Sequence, residues 1–292
     1  MKRIAGIDGL RGIAVLLVFA VHATLPVFKG GGIGVDIFFA ISGFLITKTF
    51  NNDGNDLVKF WFYRFFRIYP PLIAAAAISV TIFYFGRLAG AVEAADNLLP
   101  SLLGVANFAR ITIGAPTFLG HLWSVGIEEQ FYLGYPVALL LILRRRPGGA
   151  AGVLFGAACL LAVYRLGLFQ FLHLPVGDLF NRTDTRIDGL LWGAGLALLP
   201  RERLTVVARA WPASAAFLCA AALYQKWWHS WLYLGGFSLL SICTCVLLAE
   251  LATAPRSPLT RALSFRPLSG LGEVSYGFYL WHLPVIHLTG KL

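Results

Sequence analysis

Long, nearly uncharged apolar runs recur along this chain, and they restrict its fold more than any other feature of the sequence. Of the 292 residues, 58% are hydrophobic and only 13% are charged. A soluble domain carries about 25% charged residues, and its core could not bury so much apolar surface. A bilayer can, because about 20 apolar residues at 1.5 Å rise each cross its hydrocarbon. The sequence therefore predicts an all-α, polytopic membrane protein.

The charges between the apolar runs predict how the chain crosses the membrane. The runs cover residues 12–28, 33–47, 68–86, 97–112, 122–143, 149–170, 186–199, 211–224, 232–251 and 270–289. Cytoplasmic loops are rich in Lys and Arg, so the N-terminus and the cluster Arg144–Arg146 should face the cytoplasm. Both do so if segment 97–112 does not span, which places the loop 113–121 and the C-terminus outside. We expect a bundle of about nine to ten spans around a polar central cavity.

Two other classes of protein fit the sequence poorly. The net charge of +10 could suggest a nucleic-acid partner, but the positive-inside pattern accounts for it, and none is expected. The cysteines lie inside apolar segments without metal-ligand spacing, so we interpret them as small buried hydrophobes and predict no metal site. They are Cys159, Cys219, Cys243 and Cys245.

A histidine interrupts the first apolar segment, LLVFAVHATLPVF. His22 follows Arg11 by close to three helical turns, so the two side chains share a face, and Asp8 lies one turn before Arg11. A rise of about 16 Å from Arg11 puts the imidazole near the middle of the hydrocarbon. Ionisable groups at such depth usually face a polar cavity or a proton path. A histidine that only packs between helices is the alternative.

An arginine pair lies among aromatic residues in WFYRFFRIYPP, residues 61–71. Arg64 and Arg67 are three residues apart, so they point the same way on a helix. Arginines and aromatics routinely anchor a helix at the headgroups. Two guanidiniums on one face would equally form a clamp for phosphates. Both interpretations stay open at this point.

Carboxylates begin another span, in HLWSVGIEEQFYLGYP, residues 121–136. Ser124 and Glu128 are four residues apart and share a helical face with Tyr132, whereas Glu129 should point elsewhere. Carboxylates that enter an apolar helix exceed what solubility requires, so this face is a candidate for a functional site.

Two more polar stretches stand out in the second half of the chain, at residues 181–193 and 273–285. The stretch NRTDTRIDGLLWG carries alternating charges, which we interpret as a salt-bridge cluster that neutralises itself. Its members are Arg182, Asp184, Arg186 and Asp188. In EVSYGFYLWHLPV, Ser275, Tyr279 and His282 share one helical face and bring a second histidine into the membrane.

These stretches, in this order, resemble the acyltransferase 3 family of bacterial membrane proteins. The matching patterns are IDGLRGIAVLLVFAVH, GVDIFFAISGFLI, YRFFRIYP, LWSVGIEEQFYL and SYGFYLWHLPV, which run from residue 4 to residue 285. The resemblance implies a single integral-membrane acyltransferase domain, residues 1–292, in the bacterial cytoplasmic membrane. That family is described with ten spans, so this chain is expected to lack its last helix.

The resemblance also implies an enzyme that takes an acyl group, often acetyl, from cytoplasmic acyl-CoA. The group would pass to a hydroxyl of an extracytoplasmic carbohydrate or lipid-linked acceptor. The family's arginine pair corresponds to Arg64 and Arg67, its first-span arginine to Arg11 and its histidine to His22. Acyl-CoA is then a co-substrate, and no tightly bound cofactor is expected.

The predicted catalytic residues are His22 and Glu128. His22 would take the hydroxyl proton as the oxygen attacks the thioester, or would be acylated itself. Glu128 would orient the acceptor or support an imidazolium. Other residues are expected to line the cavity: Asp8, Asp36, Ser124, Tyr279 and His282. A proton-coupled solute transporter or a non-catalytic membrane component of polysaccharide export is the alternative.

Overall fold

The computed structural model describes residues 3–88, 91–112, 118–146 and 148–290, and within these ranges the chain is helical without any β-strand. Three 3-10 helices cover Gly120–Leu122, Thr183–Thr185 and Ser230–Leu232. The α-helices are α1 (Ala5–His22), α2 (Ile33–Asn52), α3 (Leu57–Phe85), α4 (Ala91–Leu102), α5 (Ala106–Thr112), α6 (Trp123–Arg145), α7 (Ala150–Gln170), α8 (Val176–Asn181), α9 (Asp188–Ala197), α10 (Arg201–Ala208), α11 (Trp211–Tyr224), α12 (Gly236–Thr253), α13 (Pro258–Leu263), α14 (Arg266–Glu273) and α15 (Ser275–Leu288).

Six helical segments within the described ranges are long and apolar enough to cross a membrane. They are α1, α2, α3, α7, α12 and the segment Gly120–Arg145, which contains α6. The number becomes seven if α10 and α11, which meet at 58°, form one broken span. The all-α, multi-pass class is confirmed. The count of nine to ten spans and the central cavity stay predictions.

Short helices explain why fewer segments qualify than the sequence suggested. Segment 186–199 contains the 10-residue α9, and segment 270–289 contains the 14-residue α15. Segment 97–112 is divided between α4 and α5 by a turn at Gly104, whose φ is +69°. Residues 113–117 and 291–292, for which we expect an outward position, lie outside the described residues.

The first helix begins and ends earlier than the apolar pattern indicated. It covers Ala5–His22, so Arg11 lies near its middle and His22 is its last residue. The depth of the imidazole in the membrane stays a prediction, but the helix stops at His22 instead of continuing to residue 28. The reason is local: Thr24 has a φ of +55°, and Pro26 disfavours helical backbone in the residue before it. Both features lie within the segment 12–28, which the hydropathy pattern treated as one run.

Glycines of the first motif allow α1 to contact its neighbours very closely. A Cβ at Gly9 would lie 1.7 Å from the carbonyl oxygen of Leu263, the last residue of α13. A Cβ at Gly12 would lie 2.4 Å from the carbonyl oxygen of Leu268 on α14. Since neither position can hold a side chain, these glycines fix α1 against the C-terminal helices.

The predicted salt-bridge cluster is divided among three ion pairs. These are Arg182–Asp184 at 2.5 Å, Arg186–Asp36 at 2.6 Å and Arg165–Asp188 at 2.8 Å. The prediction that the cluster neutralises its own charges is therefore correct for the first pair. It is wrong for the other two pairs, whose partners lie outside the cluster on α2 and α7. Both of these pairs are buried, so they supply the compensating charge that a buried ion needs.

Candidate active site

A cavity of about 530 Å³, here called the arginine pocket, lies beside the N-terminal half of α1. It contains the three arginines to which the sequence assigned the acyl donor. Its charged lining consists of Arg3, Asp8, Arg11, Arg64, Arg67, Glu128, Glu129 and Glu273. The structure therefore brings together residues from α1, α3 and α6 that lie far apart in the sequence.

Contacts between α3 and α6 position Arg64. The side chain of Asp56 caps α3 by accepting a hydrogen bond from the backbone N–H of Lys59 at 3.0 Å. The indole of Trp61 donates to the carbonyl of Tyr132 at 3.0 Å, which joins the two helices. The guanidinium of Arg64 lies 5.4 Å from the centre of the Tyr132 ring. Arg64 is half-buried by these contacts, and Arg67 is exposed.

Three arginines of this pocket, Arg11, Arg64 and Arg67, retain their capacity to bind an anion. Arg11 approaches Asp8 no closer than 4.0 Å. Within the part of the chain that the structure describes, neither Arg64 nor Arg67 makes an ion pair. Guanidiniums without carboxylate partners are typical of sites that bind phosphate or carboxylate groups.

Glu128 lies in the arginine pocket and not beside His22. Its Oε1 accepts a hydrogen bond from the hydroxyl of Ser42 on α2 at 2.7 Å. In this position Glu128 shares a cavity with the arginines. Its expected role toward the acceptor or an imidazolium stays a prediction. Glu129 lines the same pocket, although helical spacing had suggested that it points elsewhere. The cavity is wide enough for both carboxylates to line it. Spacing along one helix does not reveal this width.

An ion-pair chain lies on the N-terminal side of the arginine pocket. Arg3 donates to Asp8 at 2.6 Å and also contacts the carboxylate of Glu273 at the end of α14. The hydrogen bond from Arg3 lowers the pKa of Glu273, because it favours the ionised carboxylate. Arg3 is 55% exposed, so this chain belongs to the solvent side of the cavity.

A second cavity, of about 880 Å³, lies beside the C-terminal end of α1 and is here called the histidine pocket. His22, Asp36 and His121 line it. Tyr279 and Val35 line both cavities, so they belong to the wall between them. Arg11 and His22 mark the two pockets along α1 and are separated by a rise of about 16 Å.

The tautomers of two histidines follow from their hydrogen bonds. Nδ1 of His22 lies 2.9 Å from the carbonyl oxygen of Val18, and Nδ1 of His282 lies 2.5 Å from that of Tyr279. A carbonyl oxygen only accepts, so each Nδ1 carries its hydrogen and each Nε2 carries the lone pair. Nε2 of His282 lies 3.2 Å from Nδ1 of His22 and accepts from it as well. The lone pair on Nε2 of His22 remains available as a base.

The other predicted cavity residues support this arrangement. The Tyr279 hydroxyl donates to the carbonyl of His121 at 2.8 Å and lies 2.6 Å from the hydroxyl of Ser124. Ser124 lines the arginine pocket. Asp36 lines the histidine pocket, but its carboxylate is held by Arg186. His282 is absent from the lining of both pockets, but it contacts His22.

Sequence reasoning missed His121, which is 2% exposed and lies between Tyr279 and His282. The centre of its ring is 5.2 Å from that of Tyr279 and 4.9 Å from that of His282. Neither of its ring nitrogens has a hydrogen-bond partner among the described residues. The signal was present, because the ionisable His121 opens the same stretch that supplied Ser124 and Glu128.

The helices and pockets define a class: a multi-pass helical membrane protein with an arginine-containing cavity and a histidine-containing cavity along its first helix. Comparison with known proteins identifies the family. The family model described as "Acyltransferase domain" matches residues 4–292, so the chain belongs to this family. This confirms the resemblance that the sequence motifs indicated. No solved structure matches the chain.

Two of the similar proteins are named O-acetyltransferases. The chain is 33% identical to the peptidoglycan O-acetyltransferase OatA of Listeria monocytogenes over an alignment 316 positions long. This alignment covers 99% of this chain and 50% of that protein. It is 30% identical to the O-acetyltransferase OatA of Staphylococcus aureus over an alignment 311 positions long. This alignment covers 98% of this chain and 51% of that protein. The chain thus spans about half the length of these relatives.

Proposed function

We propose that this chain transfers an acetyl group from acyl-CoA in the arginine pocket to a cell-wall carbohydrate hydroxyl in the histidine pocket. One observation carries the proposal: the two pockets lie along α1 and share Tyr279 and Val35 as a wall. The acetyl acceptor is suggested by relatives that are named peptidoglycan O-acetyltransferases. The acyl-CoA donor is suggested by the arginines.

Donor binding would use the arginines without an acidic partner. Arg64 and Arg67 would hold phosphates of CoA by charge-assisted hydrogen bonds, with Arg11 deeper in the pocket. The pantetheine arm would extend along α1 toward Tyr279. The thioester would then reach the wall between the pockets, while the nucleotide stays on the side that we expect to be cytoplasmic.

Transfer would use the lone pair on Nε2 of His22. This nitrogen would take the proton of the acceptor hydroxyl as its oxygen attacks the thioester carbonyl. The C–S bond then breaks, and the CoA thiolate takes up the proton that His22 accepted, which returns His22 to its neutral form. His282 would hold the imidazole of His22 in the required tautomer through its contact with Nδ1. A route through an acetyl-histidine uses the same nitrogen as the nucleophile.

Purified protein in lipid nanodiscs tests the proposal through acetyl transfer from labelled acetyl-CoA to peptidoglycan fragments. The variant Arg64→Ala/Arg67→Ala should weaken acetyl-CoA binding about 100-fold or more, since each charged hydrogen bond contributes about 1.5–3 kcal/mol. The control Arg144→Ala/Arg145→Ala removes two arginines that line neither pocket and should bind normally. Uptake of a labelled solute by the same protein in sealed proteoliposomes, without acetyl transfer, would instead support a transporter. Equal donor binding in both double variants would contradict the donor site.

A further inference from the structure

The histidine pocket has a basic rim that the proposed reaction does not use. Lys29, Lys226 and Arg110 line the cavity together with Asp36 and Asp178. Asp36 is held in a buried ion pair, and Asp178 makes none within the described ranges. Three cations therefore face one uncompensated carboxylate. The cavity carries an excess of positive charge that favours an anionic ligand.

The two lysines extend from adjoining loops. The backbone N–H of Gly30 donates to the carbonyl of Ala222 at 3.0 Å. Gly30 also lies against the next turn, since a Cβ there would be 2.7 Å from the carbonyl oxygen of Gln225. Lys29 and Lys226 are the direct neighbours of these contacting residues. Close approach of the two loops therefore brings both lysines to the lining of the same cavity.

The loop that carries Lys226 is held in place by a buried tyrosine. The hydroxyl of Tyr233 lies 2.8 Å from the carbonyl oxygen of Trp227 and 3.1 Å from that of Val176, and it can donate to either. Tyr233 is 0% exposed, and the Trp227 ring lies 5.5 Å from that of Phe180. The rim is thus preorganised, which lowers the entropic cost of binding a ligand there.

Indole rings accompany the lysines. Trp227 and Trp228, which also line the pocket, are 44% and 50% exposed. The ammonium of Lys226 lies 5.0 Å from the centre of the Trp228 ring. The apolar C–H face of a sugar ring stacks on an exposed indole, and a cation beside that indole can bind a negative group on the same sugar. An aromatic ring and a lysine side by side therefore suit a charged sugar.

We propose that the histidine pocket selects an anionic carbohydrate, whose negative group is bound by Lys29 and Lys226 and whose ring stacks on Trp227 or Trp228. This inference deepens the proposed function and rests on it for the assignment of the pocket to the acceptor. The negative group is a carboxylate on the sugar or a phosphate that links the sugar to a lipid carrier. Both sources share the chemistry that the lysines recognise.

Binding, measured by calorimetry on purified protein in nanodiscs, tests the proposal without any need for turnover. The probes are a disaccharide of N-acetylglucosamine and N-acetylmuramic acid, its carboxyl methyl ester, and N-acetylglucosamine 1-phosphate. At least one anionic probe should bind about tenfold or more tightly than the ester, because charged hydrogen bonds contribute more than neutral ones. Added salt should reduce this preference. The stronger of the two anionic probes identifies the source of the charge.

Two variants complete the test. Lys29→Gln/Lys226→Gln should remove the preference for the anionic probes, whereas Lys48→Gln, which changes a lysine outside both pockets, should keep it. The inference is overturned if no probe binds, if the ester binds as well as both anions, or if the double variant keeps the preference. Selective binding without acetyl transfer would contradict the proposed function alone, and transfer with equal binding of the ester would contradict this inference alone.

Discussion

Nδ1 of His22 and Nε2 of His282 lie 3.2 Å apart, and this contact joins the first and the last described helices. Each Nδ1 is also bonded to a carbonyl of its own helix, so the direction of hydrogen bonding between the two rings is fixed. The two imidazoles form a directional pair in which His282 accepts and His22 keeps a basic Nε2.

We expect His282→Ala to lower kcat for acetyl transfer by about 10- to 100-fold, comparable to the loss of other groups that orient a functional histidine. The KM for acetyl-CoA should not change, because His282 lies outside the arginine pocket. His282→Gln offers an oxygen that can accept from Nδ1 of His22 and should recover part of kcat. An unchanged kcat in the Ala variant would reduce the pair to a packing contact.

The Asp36–Arg186 ion pair should matter far more for stability than Arg182–Asp184. Asp36→Asn leaves the buried Arg186 without its counterion and should cost about 3–5 kcal/mol. Asp184→Asn breaks a pair whose side chains are 36% and 38% exposed, and its expected cost is about 0–1 kcal/mol. SDS-induced unfolding in mixed micelles measures both free energies. Similar losses in the two variants would mean that Arg186 finds compensation elsewhere.

Topology can be tested with one residue on each expected face of the membrane. We expect a cysteine at position 29 to react with an impermeant maleimide from outside the cell, and one at position 144 only after the membrane is opened. This pattern follows from the positive-inside distribution. The background protein lacks Cys159, Cys219, Cys243 and Cys245. Labelling of position 144 in intact cells would reverse the proposed sides of donor and acceptor.

Helical spacing predicted part of the site. Spacing put Arg64 and Arg67 on one face, and the family resemblance assigned Arg11 to the same donor site. The structure brings the three arginines to one pocket. The bond between Asp36 and Arg186 joins residues 150 positions apart, and no periodicity along one helix reveals such a partner. Similarly, hydropathy could not detect that α1 ends at His22, since the residues after it are apolar but not helical.

Pocket membership was equally hard to predict for Glu128. Its spacing from Ser124 predicts that the two residues share a helical face, and both residues do line one cavity. That cavity contains the arginines, because Ser42 on α2 holds the carboxylate there. A contact between two helices therefore decided which site the residue belongs to.

Turnover of His22→Gln at saturating acetyl-CoA tests the central claim most directly. Glutamine preserves polarity and hydrogen bonding but supplies no base, so it separates catalysis from packing. We predict a fall in acetyl transfer of about 10²–10⁴-fold, the usual contribution of a general base, with unchanged acetyl-CoA binding at the arginine pocket. Near-normal turnover in this variant, with acetyl-CoA saturating, would contradict a catalytic role for His22.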